Sequence, residues 1–117
     1  LFRSVAITSV SVRQPMPNII LSNTARAGVT AYLKTVAREV AADGVTVNSI
    51  QPGTHDTDRI RQLYGTNLDA ARAGQPSGTI GDADDFGSIA AFMCSDQAKF
   101  MTGTHINVDG GSFAGLM

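Results

Sequence analysis

The segment from Val5 to Ile50 constrains the fold most, because its pattern predicts a strand, a long helix and a second strand in succession. Val5 to Val12 is rich in β-branched residues and predicts a short strand followed by a loop. Val45 to Ile50 has the same character and follows a turn at Asp43-Gly44. Two strands joined by a helix of this length form a crossover that pairs them in parallel. The sequence therefore predicts an α/β layer.

The connecting helix is predicted from about Asn18 or Asn23 to Asp43. Its apolar residues repeat with spacings of four, three and four, which is typical of one helix face. They are Val29, Leu33, Val36 and Val40. Gly44 supplies the expected stop, because a glycine adopts the left-handed conformation at little cost. We expect this stripe to face the sheet.

The rest of the chain continues the alternation of helices and strands. Thr57 is predicted to cap a short helix, and a second helical piece covers Leu68 to Arg72. A further helix starts at Asp82, where acidic side chains favour the positive end of the helix dipole. Its apolar stripe consists of Phe86, Ile89, Ala90 and Met93. Thr104 to Val108 forms a third strand, which predicts three parallel strands with flanking helices.

Composition excludes several classes of protein. The 117 residues carry a net charge of -1 and no cluster of Lys and Arg, which argues against nucleic-acid binding. No apolar run reaches the length of a membrane span. The single cysteine, Cys94, rules out an internal disulfide framework and a cysteine-based zinc site. We expect a soluble, cytoplasmic, single-domain chain without a metal or a membrane partner.

Four motifs, in this order and spacing, resemble the C-terminal half of short-chain dehydrogenases/reductases, including 3-oxoacyl carrier-protein reductases. They are Ile7-Thr8-Ser9; Val47-Asn48 followed by Pro52-Gly53-Thr54-His55-Asp56-Thr57; Gly81-Asp82-Ala83-Asp84-Asp85; and Thr102-Gly103-Thr104 through Val108-Asp109-Gly110-Gly111. Ala83 departs from the family, which has proline there. The resemblance covers nearly all 117 residues and implies the C-terminal half of a doubly wound, Rossmann-type parallel sheet.

The resemblance also exposes a departure at the family's active site. Family members follow the catalytic serine, here Ser9, by a Tyr-x-x-x-Lys pair that begins thirteen residues later. This sequence has Ser22 and Arg26 at those positions. In the family, the lysine one helical turn away lowers the pKa of the phenol, which exchanges a proton while hydride passes to or from the nicotinamide. A serine is shorter and less acidic, so the family's proton-transfer step is not expected here.

The resemblance nevertheless implies roles for these residues. Ser9 would orient a substrate carbonyl, Ser22 would occupy the acid position, and Arg26 would hold a ribose hydroxyl or a phosphate. The alternatives are a strand-end serine bonded to nearby backbone, an ordinary helix-start residue and a solvated arginine. His55 and Tyr64 are two alternative acids.

The loop after the second strand is the implied cofactor site. By resemblance, Pro52, Gly53, His55 and Thr57, together with Arg26, would meet the nicotinamide of NAD or NADP in an intact parent. The alternative is a plain turn followed by a helix cap. No G-x-G-x-x-G turn occurs between a strand and a helix, so no tight cofactor binding is expected from this chain alone.

The chain opens on Leu1 and leads almost directly into an apolar stretch, so we expect residues 1–117 to be a partial domain without its N-terminal dinucleotide-binding half. The strand at Val5 to Thr8 would then have an unpaired edge. This predicts a homo-oligomer, either a dimer or a tetramer, or pairing with a separate N-terminal half.

The implied function is that of an NAD(P)-dependent oxidoreductase acting on a small-molecule carbonyl or alcohol. This chain alone is expected to be inactive. The alternative is a non-catalytic homologue, or a truncated fragment, that keeps the fold for binding or assembly. Loss of the Tyr and Lys residues favours the alternative, whereas the Pro52-Gly53 loop and the closing strand favour the enzyme lineage.

Overall fold

A computed structural model describes residues 2–116, in which three parallel strands form one sheet. The strands are β1 (Arg3–Ile7), β2 (Thr46–Pro52) and β3 (His105–Val108), in the spatial order β1-β2-β3. Ile50 of β2 lies opposite Ile7 on one side and Ile106 on the other. The predicted α/β architecture with a parallel sheet is confirmed, and β2 is the central strand.

Four α-helices connect and flank the strands in the described residues. They are α1 (Ile20–Val40), α2 (Asp58–Tyr64), α3 (Asp69–Ala73) and α4 (Ala83–Met93). Single 3₁₀ turns occupy Val10–Val12, Ala41–Asp43 and Asp96–Ala98. Gly44 ends the α1 segment with a φ of 73°, as its position in the sequence predicts. No helix within residues 2–116 combines the length and apolarity needed to cross a membrane.

The first strand is short and is followed by a turn, as predicted, although its bounds differ from Val5 to Thr8. It begins at Arg3 and ends at Ile7, whereas the β-branched run continues to Val12. The chain leaves the sheet because the Ser9 hydroxyl accepts a hydrogen bond from the Ser11 backbone N–H at 3.1 Å and caps a 3₁₀ turn. A serine that bonds its neighbouring backbone overrides the strand propensity of the residues after it.

The stripe predicted on α1 is partly wrong. Val29 is 45% exposed, whereas Ala37 is the helix residue that is fully buried. Ala37 approaches the turn at Gly103, whose φ is 66°, and the Lys34 ammonium donates to the Gly103 carbonyl at 2.6 Å. The small side chain of Ala37 lets α1 approach this turn closely. A stripe defined by large apolar residues does not predict such a contact. The stripe predicted on α4 faces inward throughout, and Met93 is fully buried.

Helices lie on both faces of the sheet. Arg3 and His105 are register partners of Thr46 and Ser49, which are three residues apart on β2, so their side chains leave opposite faces. Arg3 donates to the Ser95 carbonyl, just beyond α4, at 3.4 Å. Lys34 of α1 lies near His105, since its charge contributes to the lowered pKa of that imidazole. Thus α4 covers one face and α1 the other.

Asn48 fixes the segment that leads into β3. Its side chain is fully buried on β2, donates to the Met101 carbonyl at 2.8 Å and accepts from the Thr104 N–H at 3.1 Å. Buried backbone groups need such partners when no strand supplies them. The Asn48 side-chain amide therefore takes the place of inter-strand backbone hydrogen bonds in the segment just before β3.

Replacing Asn48 with Ala should lower the free energy of unfolding by about 2 kcal/mol or more, because two backbone groups lose their partner. The measurement is urea denaturation. Thr35→Ala is the matched control, since the Thr35 hydroxyl is exposed and only bonds its own helix. Equal stability of the Asn48→Ala variant and the control would contradict this role.

His105 is held in a half-buried position on β3. Its Nδ1 and the Ser49 hydroxyl oxygen are 2.8 Å apart. Burial lowers the pKa of His105 below its ordinary value of 6.5, and the charges of Lys34 and Arg13 lower it further. The folded protein therefore favours the neutral imidazole, as expected for a packing residue rather than a ligand.

This shift makes stability depend on pH. Below pH 6.5 the unfolded chain binds a proton at His105 more readily than the folded chain does, so the contribution of His105 to stability falls as pH drops through the lowered folded pKa. Urea denaturation between pH 5 and 8, a range of about three units chosen around the histidine titration, should show a steeper loss for the wild type than for His105→Gln. Parallel curves would refute the assignment.

Candidate functional site

A cavity of about 480 Å³ opens beside the carboxyl ends of β1 and β2. This is the edge at which ligands bind in open parallel sheets, since the loops after the strands converge there. The cavity combines apolar walls with a few polar groups, as small-molecule sites do. Its lining consists of Ile7, Thr8, Arg26, Pro52, Gly53, His55, Thr57, Arg59, Ile60, Ala83 and Phe86.

The loop that leaves β2 forms one wall because Gly53 lets the backbone pass close to β3. A Cβ at Gly53 would lie 2.7 Å from the Asp109 Cα, so any larger residue would push the two strand ends apart. The Gly53 N–H donates to the Val108 carbonyl at 3.0 Å and continues the ladder past Pro52. The Pro-Gly motif therefore sets where the loop turns away from the sheet.

His55 is held on three sides. Its Nδ1 lies 3.2 Å from the Gly53 carbonyl oxygen, which can only accept, so Nδ1 carries a proton. Its ring meets Phe86 of α4 edge to face, with ring centres 4.9 Å apart. The ring also lies directly against Gly81, where no side chain would fit. His55 lines both this cavity and a neighbouring one of about 150 Å³.

Backbone hydrogen bonds join the His55 loop to the start of α4. The Asp56 N–H donates to the Gly81 carbonyl at 2.8 Å, and the Gly81 N–H donates to the Thr54 carbonyl at 2.9 Å. These bonds form a short parallel bridge between His55 and Gly81. The bridge brings His55 against Phe86, although the two are far apart in sequence.

An ion pair and a helix cap fix the end of the loop. The Arg61 guanidinium donates to both Asp56 carboxylate oxygens, at 2.8 and 3.0 Å, and lowers the pKa of Asp56 below its ordinary value. The Thr57 hydroxyl accepts from the Ile60 N–H at 3.4 Å and caps α2, as predicted. The loop is therefore anchored at both ends.

Arg26 links α1 to the end of β1. Its Nη1 donates to the Thr8 carbonyl at 2.6 Å, and its Nε donates to the Ser22 hydroxyl oxygen at 3.2 Å. The Thr8 hydroxyl is buried and lies 3.4 Å from the Ile50 carbonyl that it can donate to. The guanidinium thus holds the helix, the strand end and Ser22 together on one side of the cavity.

The structure gathers most of the predicted site residues, but not all of them. Five line the cavity: Arg26, Pro52, Gly53, His55 and Thr57. Ser9 and Ser22 are not among the lining residues, because the Ser9 hydroxyl caps the turn that follows and the Ser22 hydroxyl accepts from Arg26. Tyr64, the other alternative acid, is exposed at the end of α2 and does not line the cavity.

Sequence reasoning missed Thr8 and Arg59. The motif Ile7-Thr8-Ser9 points to its serine, whereas Thr8, and not Ser9, lines the cavity. Arg59 lies two residues after the Thr57 cap. The sequence therefore places it in the first turn of α2, close to the predicted cofactor loop. No carboxylate lines the cavity in the described part of the chain, and its two guanidiniums favour a ligand with negative charge or carbonyl oxygens.

The acidic cluster at the start of α4 has a structural role. Asp82 accepts hydrogen bonds from the Asp84 and Asp85 N–H groups at 2.8 and 3.0 Å and so caps the helix. Among residues 2–116, no three His, Cys, Asp or Glu side chains come together in a way that could hold a metal ion.

Comparison with known proteins gives a consistent result. A family model described as enoyl-(acyl carrier protein) reductase matches residues 3–112. The 3-oxoacyl-[acyl-carrier-protein] reductase of Vibrio cholerae is 40% identical over 89 residues, which are 76% of this chain and 36% of that protein. The corresponding reductase of Salmonella typhimurium is 38% identical over 109 residues, 92% of this chain and 45% of that protein.

A solved structure agrees with these relatives. The crystal structure of YwfH, described as an NADPH-dependent reductase involved in bacilysin biosynthesis, superposes with a TM-score of 0.89 at 26% identity. The match covers 96% of this chain and 47% of that one. The chain therefore spans less than half the length of each of these relatives. With the family model matching almost all of its residues, the chain belongs to the short-chain dehydrogenase/reductase family.

Proposed function

We propose that this chain forms the nicotinamide and substrate side of an NAD(P)-dependent oxidoreductase that interconverts a small-molecule carbonyl and its alcohol. The observation that carries the proposal is the cavity of about 480 Å³ at the carboxyl ends of β1 and β2, which brings together Arg26, His55 and Thr57. Because the named relatives are 3-oxoacyl-[acyl-carrier-protein] reductases, 3-oxoacyl thioesters are the first substrates to try.

The lining residues fit a nicotinamide group. Ile60 and Phe86 offer apolar surface for a flat ring, and the Thr57 hydroxyl is a partner for a carboxamide. Arg26 and Arg59 add donors and positive charge for a ribose hydroxyl or a phosphate. The fit covers the nicotinamide end, so the rest of the dinucleotide would be held by the dinucleotide-binding half of the fold, on the same polypeptide or on a second one.

The chain's own residues would bind and orient the reactants. The cofactor, when bound, supplies or accepts the hydride. Arg26 offers donors at the β1 side of the cavity, and Phe86 and Ile60 offer apolar surface. In this scheme Arg26 also holds the end of β1, because its Nη1 donates to the Thr8 carbonyl.

The second candidate is a non-catalytic family member. It is favoured by the bonding of Ser22 and Arg26, which stand at the positions of the family's tyrosine and lysine. The Arg26 guanidinium donates to Ser22 and to the end of β1, so the pair stabilises the fold without presenting a proton donor. Such a protein would keep the cavity for binding only.

We also propose that α1 mediates self-association into a dimer or tetramer. Leu21 and Tyr32 are 84% and 65% exposed, and with Ala25 and Gly28 they form one stripe with spacings of four, three and four. The outer edge of β1 carries unpaired backbone groups that a further strand would satisfy, either from a second copy or from a dinucleotide-binding half. The exposed, free Cys94 suits a reducing compartment, and we propose the cytoplasm.

Reduced nicotinamide mononucleotide, the nicotinamide half of the cofactor, should bind to the 117-residue chain. In ¹⁵N–¹H spectra its addition should shift the amides of Thr8, Gly53 and Thr57. Arg26→Gln should weaken binding about tenfold, because a charged hydrogen-bond donor is lost. Arg38→Gln is the matched control, since Arg38 is exposed on α1 away from the cavity. Shifts confined to other surfaces would refute the proposed site.

The double substitution Ser22→Tyr with Arg26→Lys separates the two candidate functions. If the lineage is catalytic with a decayed active site, carbonyl reduction by NADPH should appear or rise by a factor of at least about 100, the usual contribution of a general acid. The assay follows loss of NADPH absorbance with 3-oxoacyl thioesters, with Arg26→Lys alone as the control. No gain, with reduced nicotinamide mononucleotide still bound, would favour a binding protein or a different proton donor.

A further inference from the structure

We propose that His55 is the proton donor and acceptor of this site, in place of the tyrosine that the chain lacks. The inference rests on the proposed function and assigns a residue to its missing step. Histidine is the side chain that ordinarily exchanges protons at physiological pH. Among the residues that line the larger cavity, the other ionisable groups are Arg26 and Arg59, which stay protonated. By chemistry alone, His55 is the only lining group suited to the task.

The surroundings of the imidazole decide which nitrogen is free. Because Nδ1 donates to the Gly53 carbonyl, Nε2 is the atom left to exchange a proton. The carbonyl bond also survives both protonation states, since Nδ1 carries its proton in each. A backbone acceptor thus fixes the ring orientation in the way that second partners fix catalytic histidines elsewhere.

The packing around the ring keeps this orientation. Phe86 meets the ring edge at 4.9 Å between centres, and Gly81 has no side chain where the imidazole lies. The backbone bridge between His55 and Gly81 holds both walls in place. The site is therefore built around a histidine, since a backbone contact, an aromatic contact and a glycine all accommodate this one ring.

The proposed step is balanced as follows. In the reductive direction, Nε2 of protonated His55 would give its proton to the substrate carbonyl oxygen, while a bound reduced nicotinamide would supply the hydride to the carbonyl carbon. The products are the alcohol, the oxidised nicotinamide and a neutral imidazole that keeps its Nδ1 proton. Solvent returns the proton to Nε2 before the next turnover, and oxidation of the alcohol runs through the same atoms in reverse.

Other charged groups share these cavities and must be separated from His55 in any pH experiment. Arg26 and Arg59 line the larger cavity, and Asp109 lines the smaller one, where its carboxylate accepts from the Gly111 and Phe113 N–H groups. Asp56 is paired with Arg61, and Asp82 caps α4 next to Gly81. Any change of activity with pH is therefore assigned to a residue by comparing variants, and not from the pH at which the change occurs.

The first test observes the ring nitrogens of His55 by NMR. The chain has two histidines, so ¹⁵N-histidine labelling gives two rings, and His105→Gln identifies which is which. The neutral His55 ring should be protonated at Nδ1. Nicotinamide mononucleotide added with trifluoroethanol, an alcohol that resists hydride loss, should shift Nε2 of His55. A ring protonated at Nε2, or a ring that does not respond while the mononucleotide binds, would overturn the assignment.

The second test measures turnover under the conditions in which NADPH-dependent reduction is found, with the chain alone or with its dinucleotide-binding half. His55→Gln keeps a hydrogen-bonding amide but cannot exchange protons. Its kcat should fall by about 100-fold or more, with KM little changed. His105→Gln should keep kcat within about twofold, since that residue lies outside the cavity.

The outcomes separate the two proposals. If the mononucleotide binds but His55→Gln retains at least half of the wild-type kcat, His55 is not the proton donor and the proposed function stands. If the mononucleotide does not bind, the proposed function fails and the role of His55 fails with it. Urea denaturation of His55→Gln at the assay pH must match the wild type, so that a loss of kcat reports chemistry and not unfolding.

Discussion

The buried central strand β2 is the constraint on which the rest of the structure depends. Its residues from Thr46 to Gln51 are all buried, with β1 and β3 along its two edges and α1 packed against it. A strand enclosed in this way can leave the sheet only at its ends, so the carboxyl end delivers the Pro52-Gly53 loop to the edge where the cavity opens. Asn48 belongs to the same constraint, because its amide supplies the partners that β3 does not yet provide. The position of the site therefore follows from the burial of one strand.

Arg26 shows how one side chain can join two elements beside the cavity. A lysine one turn from a tyrosine can tune that phenol, whereas this guanidinium donates to the Thr8 carbonyl and to the Ser22 hydroxyl. These hydrogen bonds join α1 to the end of β1. A planar guanidinium suits the task because it can donate in several directions at once. The contacts of Arg26 therefore have a structural role whatever ligand the cavity binds.

Several local contacts together hold the loop from Gly53 to Thr57. Gly53 permits close approach to Asp109, Asp56 pairs with Arg61, and Thr57 caps α2. None of these features involves a large buried surface, but together they leave His55 one orientation against Gly81 and Phe86. The same loop joins the two cavities, so the imidazole lies at the point where the strand ends and the start of α4 converge.

The sequence by itself determined the order of strands and helices, the parallel sheet, the cap at Thr57 and the acidic start of α4, and its resemblance to a family pointed to five of the residues that line the cavity. These features depend on local periodicity, on glycine conformation and on motif order, all of which are written along the chain. Only the tertiary structure decided that β1 ends at Ile7, that Ala37 and not Val29 faces the sheet, and that Ser9 and Ser22 turn to other partners. It also decided that Arg59 and Phe86 share a cavity with His55. The physical reason is that these outcomes depend on hydrogen bonds and close contacts between residues distant in sequence, whose competition a one-dimensional pattern does not contain.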